Sequence, residues 1–205
     1  MGFYGEHVLP RIINVACGMT ASNPLRERVC AGLAGEVVEI GFGSGHNVPF
    51  YPEGVRSVAA VEPSDLGWRL AAERVSKSAV DVQRTGIDGQ CLVFPDDSFD
   101  AALSTWSLCT IPDPAQALGE IRRVLRPGGT FHFLEHGLAP DEKVQRSQRR
   151  FEPLNRRLAG GCHLTRPIVE LLEANGFTVR EVDVFYEKGA PKALAADSLG
   201  VAVPV

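Results

Sequence analysis

Between residues 35 and 137, short apolar runs alternate with segments whose apolar residues recur at helical spacing. The apolar runs predict five strands, at residues 36–40, 55–61, 79–83, 99–104 and 130–134. The clearest helical face follows Asp113 and carries Ala117, Leu118, Ile121, Val124 and Leu125. Strands that alternate with helices are typical of a parallel sheet with helices on both faces. The pattern therefore predicts a doubly wound α/β fold.

End signals place the helices between these strands. Ser64 and Asp113 are good N-cap residues, and Pro127-Gly128-Gly129 ends the helix before the fifth strand. Near the C-terminus we expect a helix over residues 165–175, capped by Thr165 and stopped by Gly176. The apolar residues of 177–186 change phase midway, which predicts a bulge in a terminal strand.

The chain has 205 residues with no repeat or linker, so we expect a single domain over 1–205. Its predicted parts are a helical lid over residues 1–34, a ligand-binding core over 35–137, and C-terminal helices and edge strands over 138–205. The lid is expected to be mobile and to cover a substrate pocket.

The composition limits the classes of binding partner that we expect for this protein. A formal charge of -4 gives no overall attraction to nucleic acid, and no apolar run reaches the length of a membrane-spanning helix. The N-terminus lacks the pattern of a signal peptide, and the five cysteines are odd in number without zinc-ligand spacing. These features predict a cytoplasmic protein with reduced thiols and no metal site.

A glycine loop after the first strand is the sharpest chemical signal. It reads Glu39-Ile40-Gly41-Phe42-Gly43-Ser44-Gly45-His46, and Glu62 follows the second strand, 21 residues after Gly41. Glycines let the backbone approach a ligand closely, and a carboxylate at that distance can accept hydrogen bonds from both ribose hydroxyls. The pattern predicts a nucleoside-containing ligand. Because His46 replaces the last glycine of the dinucleotide fingerprint, a nicotinamide oxidoreductase is the weaker alternative.

Three motifs in order resemble those of class I S-adenosylmethionine-dependent methyltransferases. They are Val38–Gly45, Phe94–Asp100 and Ile121–Gly129. The resemblance implies a Rossmann-like sheet of seven strands, mostly parallel with an antiparallel terminal strand, and S-adenosyl-L-methionine as cofactor. It assigns the methionine end to Glu39, Gly41, Gly43 and Gly45, the ribose to Glu62 and Pro63, and the adenine to Asp88 and Gly89. Thr105, at the end of the fourth strand, completes the expected cofactor site.

Four further segments are similar to the thiol S-methyltransferase branch and its bacterial relatives. They are 50–54, 107–114, 134–136 and 160–166. The resemblance implies methyl transfer to a small-molecule acceptor, with a thiol favoured. A phospholipid or amine N-methyltransferase, a quinone C-methyltransferase and a non-catalytic cofactor-binding module remain alternatives.

The part of the site that binds the methyl acceptor, called the acceptor side below, is expected near the ends of the fourth and fifth strands. Trp106 and Leu108 follow the fourth strand, Glu135 and His136 follow the fifth, and Tyr4 and His7 belong to the lid. We take Trp106, Glu135 and His136 as catalytic candidates, with His136 as a base or hydrogen-bond donor. Packing for Trp106, and a hydrogen bond from His136 to a loop backbone, are the alternatives. Cys162-His163 is expected in a loop.

A basic segment follows the core. Its five arginines lie on a predicted helix interrupted by Pro153, and its apolar stripe comprises Val144, Phe151, Leu154 and Leu158. The arginines are Arg146, Arg149, Arg150, Arg156 and Arg157. A solvated basic face is one interpretation, and contact with a membrane surface or an acidic substrate is the other.

Overall fold

The computed structural model describes residues 2–205 and contains one seven-stranded sheet. The strands lie in the order β3-β2-β1-β4-β5-β7-β6. Their bounds are β1 Gly35–Ile40, β2 Val55–Val61, β3 Asp81–Gly86, β4 Phe99–Thr105, β5 Leu125–His136, β6 Phe177–Tyr186 and β7 Ala196–Pro204. The first five pair in parallel, and β7 is antiparallel to both of its neighbours. This confirms the predicted doubly wound sheet with an antiparallel terminal strand.

Six α-helices accompany the sheet in the described residues. They are α1 Leu9–Cys17, α2 Asn23–Cys30, α3 Asp65–Ser76, α4 Pro114–Val124, α5 Glu142–Leu158 and α6 Ile168–Ala174, and a π-helical turn, Tyr4–Val8, precedes α1. The Ser64 and Asp113 side chains accept hydrogen bonds from Gly67 N and Gln116 N, both at 3.0 Å, which confirms both predicted caps. No helix in residues 2–205 has the length and apolar character needed to cross a bilayer.

Apolar side chains fill both faces of the sheet. One core packs α4 and α6 against Phe131, Phe133 and Phe177. The other packs α2 and α3 against Val37 and Leu103. Residues of the central strands are apolar on both faces because both faces are covered by helices, which is the expected arrangement in a doubly wound sheet.

Several predicted boundaries were wrong. The last helix begins at Ile168 without a side-chain cap, because the Thr165 hydroxyl donates to Glu152 instead. Helix α5 runs through Pro153 without interruption, since a helix of 17 residues tolerates the loss of one backbone bond. Strand β3 begins at Asp81, where its pairing with β2 starts, rather than at residue 79. The expected bulge in β6 is confirmed by a register shift between Val179 and Glu181.

The strand order creates a crevice at the carboxyl ends of β1 and β4. From β1 the chain proceeds outward to β2 and β3, and then crosses back to β4 on the other side. In open α/β sheets, ligands bind outside the carboxyl ends of the strands where the winding direction reverses. The candidate site lies at this position.

Candidate active site

A cavity of about 650 Å³ lies over the carboxyl ends of the central strands. Its walls come from the loops that follow β1, β2, β3 and β4, and from the N-terminal helices. The predicted site residues that line it are Gly41, Gly43, Glu62, Pro63, Asp88, Gly89, Thr105 and Trp106. A volume of this size is typical of small-molecule and cofactor sites. The structure thus brings together eight of the twelve residues selected from the sequence.

Glu62 connects the glycine loop with the end of β2. Its two carboxylate oxygens accept hydrogen bonds from Gly43 N at 2.6 Å and from Ser64 N at 2.7 Å. Burial raises the pKa of this carboxyl, although both backbone donors favour its ionised form. A carboxylate can accept about four hydrogen bonds, so Glu62, which lines the cavity, retains acceptor capacity beyond these two.

Two positions of the loop require glycine for different structural reasons. Gly41 has φ +69°, and a Cβ there would lie 1.9 Å from the Ser107 hydroxyl oxygen. Gly43 has φ +60°, but a Cβ at this position would have its nearest protein atom 3.8 Å away. Packing against Ser107 therefore requires glycine at position 41, whereas the open space beside Gly43 suits close approach of a ligand.

Glu39 and Gly45 lie behind the cavity wall, although the family resemblance implied that they hold the methionine end. The Glu39 carboxylate is 1% exposed and accepts hydrogen bonds from Asn47 Nδ2 at 3.0 Å and from the Tyr51 hydroxyl. Burial raises the pKa of Glu39 to about 7, against the opposing effect of these donors. Gly45 is buried near Ala71 and Phe42. Both residues support the loop from inside.

Asp88 and Thr105 stand at two other sides of the cavity. Asp88 Oδ1 accepts a hydrogen bond from Gln90 N at 2.8 Å, which folds the loop after β3. The Thr105 hydroxyl oxygen accepts from Asn47 Nδ2 at 3.0 Å, which joins the end of β4 to the buried Glu39 network. Ile87 and Ile111 add apolar surface beside Asp88. This side of the cavity thus combines an acceptor with apolar walls.

Trp106 and Arg26 form the wall beyond Thr105. Trp106 has φ +50°, an uncommon conformation for a bulky residue that is found mainly at functional sites. The Arg26 guanidinium carbon lies 4.9 Å from the Trp106 ring centroid, within cation–π range. Arg26 is 3% exposed and donates to Asn47 Oδ1 at 2.6 Å and to the Cys17 carbonyl at 2.9 Å. A buried cation therefore reaches the cavity wall.

Glu135 is buried and does not line the cavity. Its oxygens accept hydrogen bonds from the Ser104 hydroxyl at 2.6 Å, Ser107 N at 3.1 Å and Cys109 N at 3.3 Å. Burial raises its pKa to about 7 despite these donors. The three donors belong to the segment that includes the end of β4 and the loop after it. This geometry makes Glu135 a positioning residue for that loop.

His136 also lies behind the wall, stacked on Trp106 with ring centroids 5.9 Å apart. Its Nε2 lies 3.6 Å from Asp197 Oδ1, which also accepts from Trp106 Nε1 at 3.2 Å. Burial would lower the pKa of His136, but a hydrogen bond to Cys162 and the charge of Asp197 raise it to about 9. His136 does not reach the cavity, so a direct general-base role requires movement of Trp106.

The N-terminal segment, residues 2–34, contributes residues to the cavity other than those expected. Gly5, Leu9, Pro10, Ile13 and Cys17 line the cavity. Tyr4 and His7 do not line it. The Tyr4 hydroxyl donates to the Leu158 carbonyl at 2.8 Å, and the His7 ring packs on Phe3. Leu108, also expected at the acceptor side, is fully buried in the apolar core.

The sequence analysis did not predict three residues of the site, namely Arg26, Asn47 and Tyr51. Asn47 follows the glycine loop directly, and Tyr51 belongs to the 50–54 segment, so their positions offered a signal. Arg26 offered none, because its partner Asn47 lies 21 residues away and only the fold brings them together. His46, which lines the cavity, faces Asn14 O at 3.0 Å, and burial with nearby Arg74 and Arg26 lowers its pKa to about 4.

Known sequences resemble this chain over its core. Residues 38–133 match the family described as "Methyltransferase domain". Human thiol S-methyltransferase TMT1B is 36% identical over 155 residues, which cover 72% of this chain and 62% of that protein. A phosphatidylethanolamine N-methyltransferase of Cereibacter sphaeroides is 28% identical over 149 residues, 69% of this chain and 72% of that protein. The chain thus spans less than two thirds of the length of the thiol S-methyltransferase.

Solved structures share the fold. An S-adenosylmethionine-dependent methyltransferase from Mesorhizobium loti aligns over 89% of this chain and 97% of its own, with a TM-score of 0.63 and 19% identity. The [4+2]-cyclase SpnF aligns over 90% and 80%, with a TM-score of 0.67 and 19% identity. Together with the glycine loop, Glu62 and the sheet order, these matches lead to one assignment. The chain belongs to the S-adenosylmethionine-dependent methyltransferases, and residues 38–133 are the part that matches the methyltransferase domain family.

Proposed function

We propose that this protein transfers a methyl group from S-adenosylmethionine to a small-molecule thiol. The observation that carries the proposal is the Glu62 carboxylate beside the open face of Gly43, at the wall of the cavity. The lining of the cavity fits the cofactor. It offers a carboxylate for the sugar diol, glycine backbone that an amino-acid end can approach closely, and apolar walls for the base. When bound, S-adenosylmethionine supplies a methyl carbon that its sulfonium has already activated.

The residues that would hold the cofactor follow from the placement of the walls. Glu62, with Pro63 beside it, would accept the ribose hydroxyls, and Gly41 and Gly43 would let the amino-acid end approach the loop. Asp88 and Gly89 would face the adenine. Thr105, which lies at the carboxyl end of β4 and lines the cavity, would complete the cofactor site. Glu39 and Gly45 would support this arrangement from behind.

The acceptor side favours an anionic nucleophile. Arg26 lines this side, where its guanidinium donates to Asn47 Oδ1 and to the Cys17 carbonyl, and the carboxylates of Glu39 and Glu187 act on it through space. A buried cation stabilises a thiolate, and a thiol of pKa about 8.5 needs only modest help to ionise. The same cation opposes the approach of a protonated amine. Leu9, Ile13 and Trp106 exclude water around the nucleophile, and such positioning in a dry site can supply about 7–11 kcal/mol of barrier reduction.

We expect purified protein to transfer radiolabelled methyl groups from S-adenosylmethionine to alkyl thiols and not to matched amines, phenols or quinols. The physical reason is that Arg26 would stabilise an anionic nucleophile at the wall of the cavity, and a thiol of pKa about 8.5 ionises more readily than a phenol of pKa about 10. The measurement is label recovered in each product at equal acceptor concentration, with the exposed-surface variant Glu73→Ala as an enzyme control. Preferred methylation of an amine, a phospholipid headgroup or a quinol would contradict the thiol assignment. Cofactor binding without transfer to any acceptor would support the non-catalytic module instead.

We also propose that residues 1–34 act as a lid over this cavity, and that the protein works in the cytoplasm. Residues of the π-helical turn, α1 and α2 form one wall, which would have to open for exchange of ligands as large as the cofactor. The five cysteines are free thiols in the structure, which is compatible with a reducing compartment.

A peripheral contact with anionic membrane is a further part of the proposal. Helix α5 leaves Phe151, Leu154 and Leu158 about half exposed, at 49%, 57% and 54%. The five arginines of the basic segment form no ion pair with a described carboxylate, and all five are exposed. An apolar stripe flanked by arginines is the composition that binds a lipid surface. Phe3 and Val15 add exposed apolar surface from the lid.

Replacing Arg149 and Arg150 with alanine should weaken binding to vesicles that contain phosphatidylserine. Each basic residue near an anionic surface contributes about 1 kcal/mol, so we expect roughly a 30-fold loss for the pair. Vesicle flotation at several lipid concentrations measures the partition coefficient. The matched control replaces Arg69 and Arg180, two exposed arginines outside α5. Equal partitioning of the two double variants would show that this face is only a solvated surface.

A further inference from the structure

Two cysteines and a histidine from separate parts of the chain meet behind the acceptor side of the cavity. Cys109 lies in the loop between β4 and α4, His136 ends β5, and Cys162 follows α5. The ligand atoms of all three lie within 4.8 Å of one another, and the two sulfurs are 3.5 Å apart. Cys109 and Cys162 are buried at 1% and 8% exposure. The sequence spacing gave no sign of this cluster.

The geometry suits a tetrahedral metal ion. Zinc binds thiolate sulfur at about 2.3 Å, so two sulfurs on one tetrahedral ion stand about 3.8 Å apart. The observed separation of 3.5 Å is within a few tenths of an ångström of that edge. Two thiolates and a neutral imidazole around a divalent cation also sum to zero charge, which removes most of the cost of burying them.

The surroundings hold the three ligands in place. His163 N donates to the Cys109 carbonyl at 2.8 Å, which fastens the two cysteine loops together, and Asn155 Nδ2 donates to the Cys162 carbonyl at 2.8 Å. Asp197 lies 3.6 Å from His136 and is 1% exposed, and its Oδ2 has no hydrogen-bond partner in residues 2–205. A carboxylate behind a ligating histidine is the usual outer support of a protein metal site.

We propose that Cys109, His136 and Cys162 bind one thiophilic divalent cation of the zinc type. Three protein ligands leave the fourth position open, as in metal sites that take up water or an exchangeable ligand. The site lies next to the acceptor wall, because Trp106, Thr110 and Gly160 line the cavity and flank the cluster in sequence or by stacking. The proposal does not depend on the methyl acceptor or on cofactor binding.

Cobalt titration of the reduced, metal-free protein tests the site directly. We expect one equivalent of Co²⁺ to produce a thiolate-to-cobalt charge-transfer band and the visible bands of tetrahedral cobalt, and one equivalent of Zn²⁺ to remove both. Cys109→Ser, Cys162→Ser and His136→Gln should each lose the tetrahedral spectrum. The control Cys91→Ser, an exposed thiol elsewhere, should retain it. Circular dichroism of each variant reports whether it folds.

Asp197→Asn provides a second variant that keeps all three ligands. Loss of an outer-shell carboxylate typically lowers metal affinity by about 10–100-fold, and we expect a shift of that size in the Zn²⁺ dissociation constant. A wild-type protein that takes up no cobalt overturns the proposal. So does a charge-transfer band that persists in folded protein lacking both Cys109 and Cys162.

Discussion

Replacing Glu62 with alanine should weaken binding of S-adenosylhomocysteine by about 10- to 150-fold. The expected cost is about 1.5–3 kcal/mol, the range for hydrogen bonds that involve a charged group. The substitution removes the proposed acceptor for the ribose hydroxyls. It also frees Gly43 N, which the Glu62 carboxylate holds at 2.6 Å, so the loop loses its attachment to β2. Calorimetric titration with S-adenosylhomocysteine measures the dissociation constant, and the product analogue avoids turnover during the experiment.

Two further variants separate an effect of Glu62→Ala on ligand binding from an effect on folding. Glu62→Gln keeps an acceptor oxygen but loses the charge, so its dissociation constant should fall between those of wild type and Glu62→Ala. Glu73→Ala removes an exposed carboxylate from α3 that forms an ion pair with Lys77, and should bind as wild type does. Melting temperatures of all three show whether the fold is intact. An unchanged dissociation constant in folded Glu62→Ala would remove the ribose assignment, and with it the main support for the cofactor site.

The parts of the site that could be predicted from sequence depend on local chain geometry. A loop with three glycines after a strand and an acid after the next strand have fixed positions once the βαβ pattern is recognised. Gly41, Gly43 and Glu62 accordingly line the cavity. The N-cap roles of Ser64 and Asp113 could also be predicted from the sequence, because an N-cap depends only on the three residues that follow it.

The parts that could not be predicted depend on contacts between distant segments. Glu135 and His136 were correctly placed at the end of β5, but the sequence could not show that Trp106 stands between His136 and the cavity. Cys109, His136 and Cys162 have no ligand spacing, since each comes from a different loop or strand end. The failed cap prediction at Thr165 has the same cause. The Thr165 hydroxyl donates a hydrogen bond to Glu152, which is distant in sequence, and therefore does not cap the helix.

Alanine at Gly43 and alanine at Gly41 should have opposite dominant effects. Both positions have positive φ, which costs a residue with a Cβ about 1–2 kcal/mol of stability. At Gly43 the added methyl group meets no protein atom closer than 3.8 Å and enters the space proposed for the cofactor. We therefore expect Gly43→Ala to bind S-adenosylhomocysteine at least about 10-fold more weakly, equivalent to about 1.4 kcal/mol, with a modest fall in melting temperature.

At Gly41 the added methyl group would lie 1.9 Å from the Ser107 hydroxyl oxygen, so the protein itself must shift. Gly41→Ala should mainly lower stability, and the second substitution Ser107→Gly should recover the part due to the clash while leaving the backbone strain. Thermal unfolding and calorimetric titration on the three variants give both quantities. If Gly43→Ala binds the ligand as tightly as wild type, the open space beside Gly43 is not where the cofactor lies. The loop would then be explained by packing alone, as it is at Gly41.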